Sequence, residues 1–174
     1  MSMTPIATTT LTSDTATVTF SSISGSYKSL YLTAWTHGVG LDGVNTVKTV
    51  INGVTTAGSY EYQYLEWRET SGTVSSSNSA NAFFGNIYTA WGSSNQNLKS
   101  GIRYYFPAYS YTLNSHTGMS INNGHRNYSS DENRGATYAV KNDSVTTAIT
   151  SISFTTDSPS GFTNGSVFNL YGLG

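Results

Sequence analysis

The sequence predicts an all-β fold, an antiparallel two-sheet sandwich of the jelly-roll type. Apolar and polar residues alternate with a period of two in several segments, which is the pattern of half-buried strands. No segment combines helix-forming residues with apolar positions at i, i+3, i+4 and i+7. Three dipeptides are predicted to form tight hairpin turns, because Asn and Gly tolerate positive φ: Asn52-Gly53, Asn123-Gly124 and Asn164-Gly165.

The alternation also assigns a core face to each predicted strand. In one of these segments Tyr60, Tyr62 and Tyr64 alternate with Glu61, Gln63 and Leu65. The other predicted core residues are, in chain order, Ala16, Val18, Phe20, Leu30, Leu32, Ala34, Ile102, Tyr104, Phe106, Ile152, Phe154, Phe168 and Leu170.

The chain is predicted to be one domain with a short arm. Residues 1–10 hold few large apolar groups, and Pro5 disfavours helix, so they are predicted to form an extended N-terminal arm. Residues 11–174 are predicted to form a single jelly-roll domain, because no linker interrupts the strand pattern. The very polar stretch from Ser110 to Arg134 is predicted to be a long loop.

Composition excludes several classes of function. Charged residues make up 10% of the 174 positions, against about 25% in an average soluble domain, and the net charge is −1, so no basic surface is predicted for nucleic acid. The absence of cysteine excludes disulfides and thiolate metal sites. No apolar run approaches the roughly 20 residues of a membrane span. Instead, 27 Ser, 26 Thr and 15 Asn supply the polar surface.

The ionisable residues do not form a catalytic or metal-binding pattern. The three histidines, His37, His116 and His125, show no metal-ligand spacing and are predicted to lie in loops. No G-x-S-x-G motif is present to mark a nucleophilic serine. We therefore expect no enzymatic activity, no metal and no cofactor.

Three carboxylates lie near Trp67 in the sequence, and two carboxylates on one face beside an aromatic platform could cleave a sugar, as in glycosidases. Glu61 and Glu69 share a face but would lie about 27 Å apart on a straight strand, far beyond the roughly 5–9.5 Å that glycosidases use. Glu66 belongs to the opposite face. All three are therefore predicted to be solvated charges on a sheet surface.

Aromatic residues are the remaining candidates for a functional surface. They could stack on sugars, or they could form the core and a subunit interface, and the latter is favoured. The candidates are Trp35, Tyr60, Tyr62, Tyr64, Trp67 and Trp91.

Both ends of the chain resemble small virion proteins of tailed bacteriophages. Residues 11–30 contain a strand, the run Ser22-Ile23-Ser24-Gly25-Ser26-Tyr27 and the beginning of a second strand, as those proteins do. Residues 148–154 and 161–172, which end in Phe168-Asn169-Leu170-Tyr171-Gly172, resemble their closing hairpin. The resemblance covers about 50 residues and does not extend to positions 36–141.

This resemblance implies a jelly-roll structural protein of the virion, often a trimeric capsid decoration (cement) protein that binds the major capsid protein. The arm residues Met3, Pro5 and Ile6 would then be candidates for the shell contact, by adding a strand to a sheet edge. The alternative is a tail-fibre or tail-tip module that binds carbohydrate through the aromatic candidates. A glycan-cleaving jelly roll is a weaker third possibility.

Overall fold

The computed structural model describes residues 2–38, 45–68, 74–81, 86–89, 100–127, 132–156 and 161–174. The regular secondary structure of these described residues consists of β-strands, so the predicted all-β class is confirmed. The strands are β1 Met3–Thr10, β2 Thr17–Phe20, β3 Ser29–Thr36, β4 Asn45–Ile51, β5 Tyr60–Arg68, β6 Val74–Asn81, β7 Asn86–Thr89, β8 Ser100–Pro107, β9 His116–Asn127, β10 Glu132–Asn142, β11 Ile152–Thr156 and β12 Val167–Leu173. Among the described residues, no helix is long and apolar enough to cross a membrane.

The strands form two antiparallel sheets that pack as a sandwich. The large sheet has the order β1-β12-β3-β8-β9-β10-β5-β6, and the small sheet has the order β2-β11-β4-β7. The chain passes from one sheet to the other at most of its connections, as it does in Greek-key folds. The two-sheet sandwich is thus confirmed, and the jelly-roll type stays a prediction that is compatible with this order.

The core lies between the two sheets and confirms most of the predicted core residues. Phe168 is fully buried, and its ring centroid lies 5.5 Å from that of Phe154 and 5.1 Å from that of Phe162. Tyr104 crosses this core and accepts a hydrogen bond from Thr49 Oγ1 at 2.7 Å, which links the large sheet to the small one. Of the predicted core residues, only Ala16 is exposed, because it lies just before β2 begins.

The segment from Ser110 to Arg134 is not a long loop, since most of β9 and the beginning of β10 lie in it. β9 is paired on both sides, with β8 and with β10, so its backbone is held by ladder hydrogen bonds rather than by apolar side chains. Its inward register positions include His116, Gly118 and Ser120, which are small or polar. Because of this composition, β9 lacks the alternation of apolar and polar residues that predicts the other strands.

The three predicted hairpin turns are also corrected. Asn52 and Gly53 do form a tight turn, with φ of 48° and 74°, but it leads from the small sheet to the large one. Asn123-Gly124 lies inside β9. Gly165 has φ of 77° in a turn before β12, yet β11 and β12 belong to different sheets, so the closing segment is not a hairpin.

The N-terminal segment is extended, as predicted, but it is not a separate arm. As β1 it pairs along its length with β12 and forms one edge of the large sheet. The register shifts between Pro5 and Ala7, which places the proline at an irregularity of an edge strand, where its missing N–H is tolerated.

Candidate functional site

The described residues hold no cluster of three or more His, Cys, Asp or Glu that could bind a metal ion. His116 is buried at the beginning of β9, and its Nε2 lies 2.7 Å from the carbonyl oxygen of Thr147, so the prediction of a loop histidine is wrong there. His125 also belongs to β9, although its side chain lies outside the described part. The backbone carbonyl oxygen of His37 accepts a hydrogen bond from the Thr163 N–H at 2.8 Å.

Two of the carboxylates near Trp67, Glu61 and Glu66, lie on opposite faces of β5. Glu61 is exposed on β5, whereas Glu66 is only 3% exposed, so the prediction that Glu66 is a solvated charge is wrong. Glu66 lies opposite Ala136 on the inward side of β5, where strand alternation places it whatever its charge. Glu69 lies outside the described residues.

Three of the six aromatic candidates belong to the core and not to a surface. Tyr60 is fully buried, and its hydroxyl accepts a hydrogen bond from the Ile51 N–H and donates one to the Val54 carbonyl. Burial raises the pKa of Tyr60, and the hydrogen bonds with the Ile51 N–H and with Asn142 moderate the rise. Tyr62 and Tyr64 pack against Tyr138, with ring centroids 5.5 and 5.3 Å apart. These tyrosines therefore stabilise the sandwich and cannot form a platform.

The outer face of the large sheet, which points away from the small sheet, carries the exposed aromatic residues. Five of the six exposed large hydrophobic residues among those described lie on it: Met3, Trp35, Leu65, Trp67 and Met119. A register row across its middle adds three half-buried tyrosines on adjacent strands. That row reads Pro5, Tyr171, Tyr31, Tyr105, Met119, Ala139 and Gln63.

Trp35 and Trp67 each lie against a glycine on a neighbouring strand. Trp35 is opposite Gly101, where an added Cβ would lie 3.8 Å from the indole ring. Trp67 is opposite Gly135, where an added Cβ would lie 2.0 Å from Cζ2, so its ring occupies the space of the missing side chain. The ring of Trp67 is thus stacked on backbone with 39% of the residue exposed, and Trp35 is 57% exposed.

These four residues lie in one register row, which we call the Trp row: Trp35, Gly101, Gly135 and Trp67. Arg103 and Thr137 both align with Ile121 of β9, and Gly101 and Gly135 each lie two residues before them on parallel strands. One strand, β9, separates the two glycines, so they lie about 10 Å apart at the usual strand spacing of 4.7–4.9 Å. The two indole rings therefore extend toward each other across the sheet.

A β-bulge lies between the two tryptophans. Asn122 aligns with Ala136 and His125 with Arg134, so two residues of β9 face the single residue Gly135. A bulge of this kind locally bends the strand and changes the direction of side chains, and bulges are common beside functional sites. The middle of the Trp row is therefore an irregular, glycine-rich stretch of backbone.

The adjacent row on the same face supplies polar groups. Thr33, Arg103 and Thr137 lie two residues along their strands from the Trp row, which is about 7 Å. Arg103 is exposed, and the two threonines are half-buried. Aromatic surface and hydrogen-bonding groups are therefore combined on one side of the sheet.

A second exposed cluster, which we call the Met3 end, lies at the opposite end of the large sheet. Met3 is 56% exposed and aligns with Leu173, and Tyr111, 59% exposed, lies in the turn after β8 at the same end. Thr10, at the other end of β1, aligns with Val167 and hence with Trp35. The Met3 end and the Trp row are therefore about 20 Å apart along β12.

No model of a known protein family matches the chain, and no curated protein matches it. Scytalido-glutamic peptidase, solved with a peptide-based transition state analog, is 14% identical with a TM-score of 0.27, over 94% of this chain and 66% of that chain. The CBM2 module of the Lactobacillus casei BL23 phage J-1 evolved Dit is 12% identical with a TM-score of 0.16, over 91% of this chain and 69% of that one. This chain thus spans about two thirds of the length of each, and neither similarity assigns an activity or a ligand.

The sequence alone predicts only part of the candidate site. The sequence predicts Trp35 and Trp67 as candidates but gives no signal for Gly101 and Gly135, and Trp91 lies outside the described residues. A glycine opposite a tryptophan is visible only when the strand register is known, because the two residues are distant in the chain.

Proposed function

We propose that the protein is a non-enzymatic structural protein of a tailed-bacteriophage virion that decorates the capsid shell. The segments that resemble phage virion proteins support this proposal. They contain β2, most of β11 and β12 and the beginning of β3, and these strands pair as β2–β11 in the small sheet and β3–β12 in the large sheet. The segments of resemblance are thus one continuous part of the sandwich, although they are far apart in the chain.

The observation that carries the decoration function is the position of β1. It forms an edge of the large sheet, and among the described residues it pairs with β12 alone. A strand of the major capsid protein that pairs with this edge at its Met3 end would gain main-chain hydrogen bonds without needing charged contacts. Met3 and Pro5 are exposed on this strand, whereas Ile6 packs against the core and is a structural residue.

Binding to purified capsids that lack this protein tests the attachment. Met3→Glu introduces a charge at the proposed contact, so we expect at least a roughly tenfold loss of affinity. Thr10→Glu is the matched control, because Thr10 is exposed at the other end of the same strand. Both variants should melt like the wild type. Capsid binding by Met3→Glu at wild-type affinity would exclude β1 as the contact.

We also propose that the protein acts as a homotrimer on the shell. Charged residues make up only 10% of the chain, so surfaces of the sandwich outside the Trp row can be buried against protein with little cost of desolvating ions. Sedimentation at micromolar concentration should give the mass of a trimer, and a stable monomer would contradict the proposal.

The second candidate function is that of a tail-fibre or tail-tip module that binds carbohydrate, and the exposed Trp row favours it. The copy number of the chain per virion separates the two positions. Decoration of the shell requires hundreds of copies, whereas a position in the tail gives few.

A further inference from the structure

We propose that the Trp row is a binding site for a short neutral oligosaccharide. This proposal goes beyond attachment to the shell, since the Trp row lies about 20 Å from the Met3 end and stays accessible when that end is occupied. It concerns a site on the outer face that binds a ligand from the medium.

The arrangement of the rings is the first argument. Trp67 is stacked on the backbone of Gly135, so one face of the indole is covered by protein and the other is presented to solvent. A single pair of this type protects an exposed glycine in a sheet. Trp35 lies more loosely over Gly101 in the same register row, and the two rings extend toward each other across a β-bulge as a pair of platforms about 10 Å apart.

The chemistry of the surroundings identifies the class of ligand. The C–H faces of a pyranose ring stack on the electron-rich face of an aromatic ring, and its hydroxyl groups need nearby donors and acceptors. Thr33, Arg103 and Thr137 lie beside the Trp row and offer such groups. Arg103 is the one charged side chain among those described in the Trp row and in the row beside it, so a neutral ligand can bind without a large desolvation cost.

The site requires a glycine at position 135 but not at position 101. At Gly135 a side chain would occupy the space of the Trp67 ring, so glycine is required for the ring to lie flat. At Gly101 a methyl group would make an ordinary contact with Trp35 at 3.8 Å. The two positions therefore offer a matched pair of substitutions, in which the same change displaces one ring and leaves the other in place.

Titration of the full chain with cellohexaose, chitohexaose, maltohexaose and mannohexaose, followed by tryptophan fluorescence and calorimetry, tests the proposal. We expect at least one of these probes to bind and to change the emission. Trp35→Ala, Trp67→Ala and Gly135→Ala should each weaken that binding by about tenfold, the size of a lost aromatic stacking contact. Gly101→Ala should bind within about twofold of the wild type.

Tyr111→Ala is the control for a nonspecific effect, because Tyr111 is as exposed as Trp35 but lies at the Met3 end. Wild-type melting temperatures of the tryptophan variants would show that they are folded. The proposal is overturned if none of the four probes binds at millimolar concentration, or if binding survives in the Trp35→Ala/Trp67→Ala double variant. Binding of an acidic oligogalacturonate alone would also overturn it. Capsid binding by the same variants is measured separately, so a failure here is distinct from a failure of the decoration function.

Discussion

The outer faces of the two sheets differ in what they expose. The large sheet presents tryptophan, methionine, leucine and a row of tyrosines. The small sheet presents Thr17, Thr19, Ser153 and Thr155, with Lys48 as the charged residue among those described. Both sheets bury an apolar inner face, so the core explains neither outer face. These hydroxyl-bearing residues make up what we call the hydroxyl face, and it shows that an outer surface of this fold does not require aromatic residues.

The backbone differs in the same way. The described strands of the small sheet pair without register shifts, whereas the large sheet has one shift in β1 and another beside Gly135. The second shift coincides with the Trp row. Local irregularity and exposed aromatic surface thus occur together, on the sheet that we propose to be functional.

Substitution in the shared core gives the largest expected effect and tests whether inner and outer faces are correctly assigned. Phe168→Ala removes a fully buried ring that contacts Phe154 and Phe162, so we expect a loss of about 3–5 kcal/mol in the free energy of unfolding. Val167→Ala, one residue earlier and on the outer side, should cost less than half of this. Equal losses in urea unfolding would show that the register of β12 is wrong.

The hydrogen bond that joins the sheets should give the next largest effect. Tyr104→Phe leaves the buried Thr49 Oγ1 without its partner, so we expect a loss of about 1–3 kcal/mol at neutral pH. Tyr111→Phe removes an exposed hydroxyl and is the matched control. Equal melting temperatures for Tyr104→Phe and the wild type would contradict the link between the sheets.

The same tyrosine predicts the response to alkaline pH. Burial raises the pKa of Tyr104 well above its ordinary value of about 10, and the Thr49 hydrogen bond opposes this rise. As pH rises, this tyrosine loses its hydroxyl proton in the unfolded chain before it does so in the folded one. Its contribution to stability is therefore present below about pH 10 and falls as pH rises beyond that value. The free energy of unfolding should decline less steeply above about pH 10 in Tyr104→Phe than in the wild type. If the free energy of unfolding falls equally with pH in the two proteins, the pKa of Tyr104 is not the cause of the decline.

A smaller effect separates the two glycines of the Trp row. Gly135→Ala must displace the ring of Trp67, so it should cost roughly 1–2 kcal/mol and alter the tryptophan emission. Gly101→Ala should change stability by less than about 0.5 kcal/mol, because its methyl group finds an ordinary contact. If both variants melt alike, Trp67 does not lie on Gly135.

Period-two alternation predicted the inner faces because burial of alternate residues is a local property of a strand. It predicted Leu30, Leu32 and Ala34, all of which are buried. The alternation does not reveal β9, because the inward residues of that strand are polar or small. It also does not predict that Glu66 is buried, because a glutamate is expected to face solvent. Register was also out of reach: Trp67 meets Gly135 only through the pairing of β5 with β10, and nothing near either residue specifies that pairing.

The smallest effect is expected on the hydroxyl face of the small sheet. Thr19 Oγ1 and Ser153 Oγ lie 2.9 Å apart on the neighbouring strands β2 and β11, in an exposed position. Thr19→Val removes this hydrogen bond and keeps a β-branched side chain that suits a strand, so the change isolates the hydroxyl group. Since water replaces the lost partner, stability should change by less than about 0.5 kcal/mol. Binding to capsids and to the hexasaccharides should equal that of the wild type, because this face lies on the other side of the sandwich from the Trp row. A clear loss of either binding in a folded Thr19→Val variant would place function on the small sheet and reverse the comparison of the two faces.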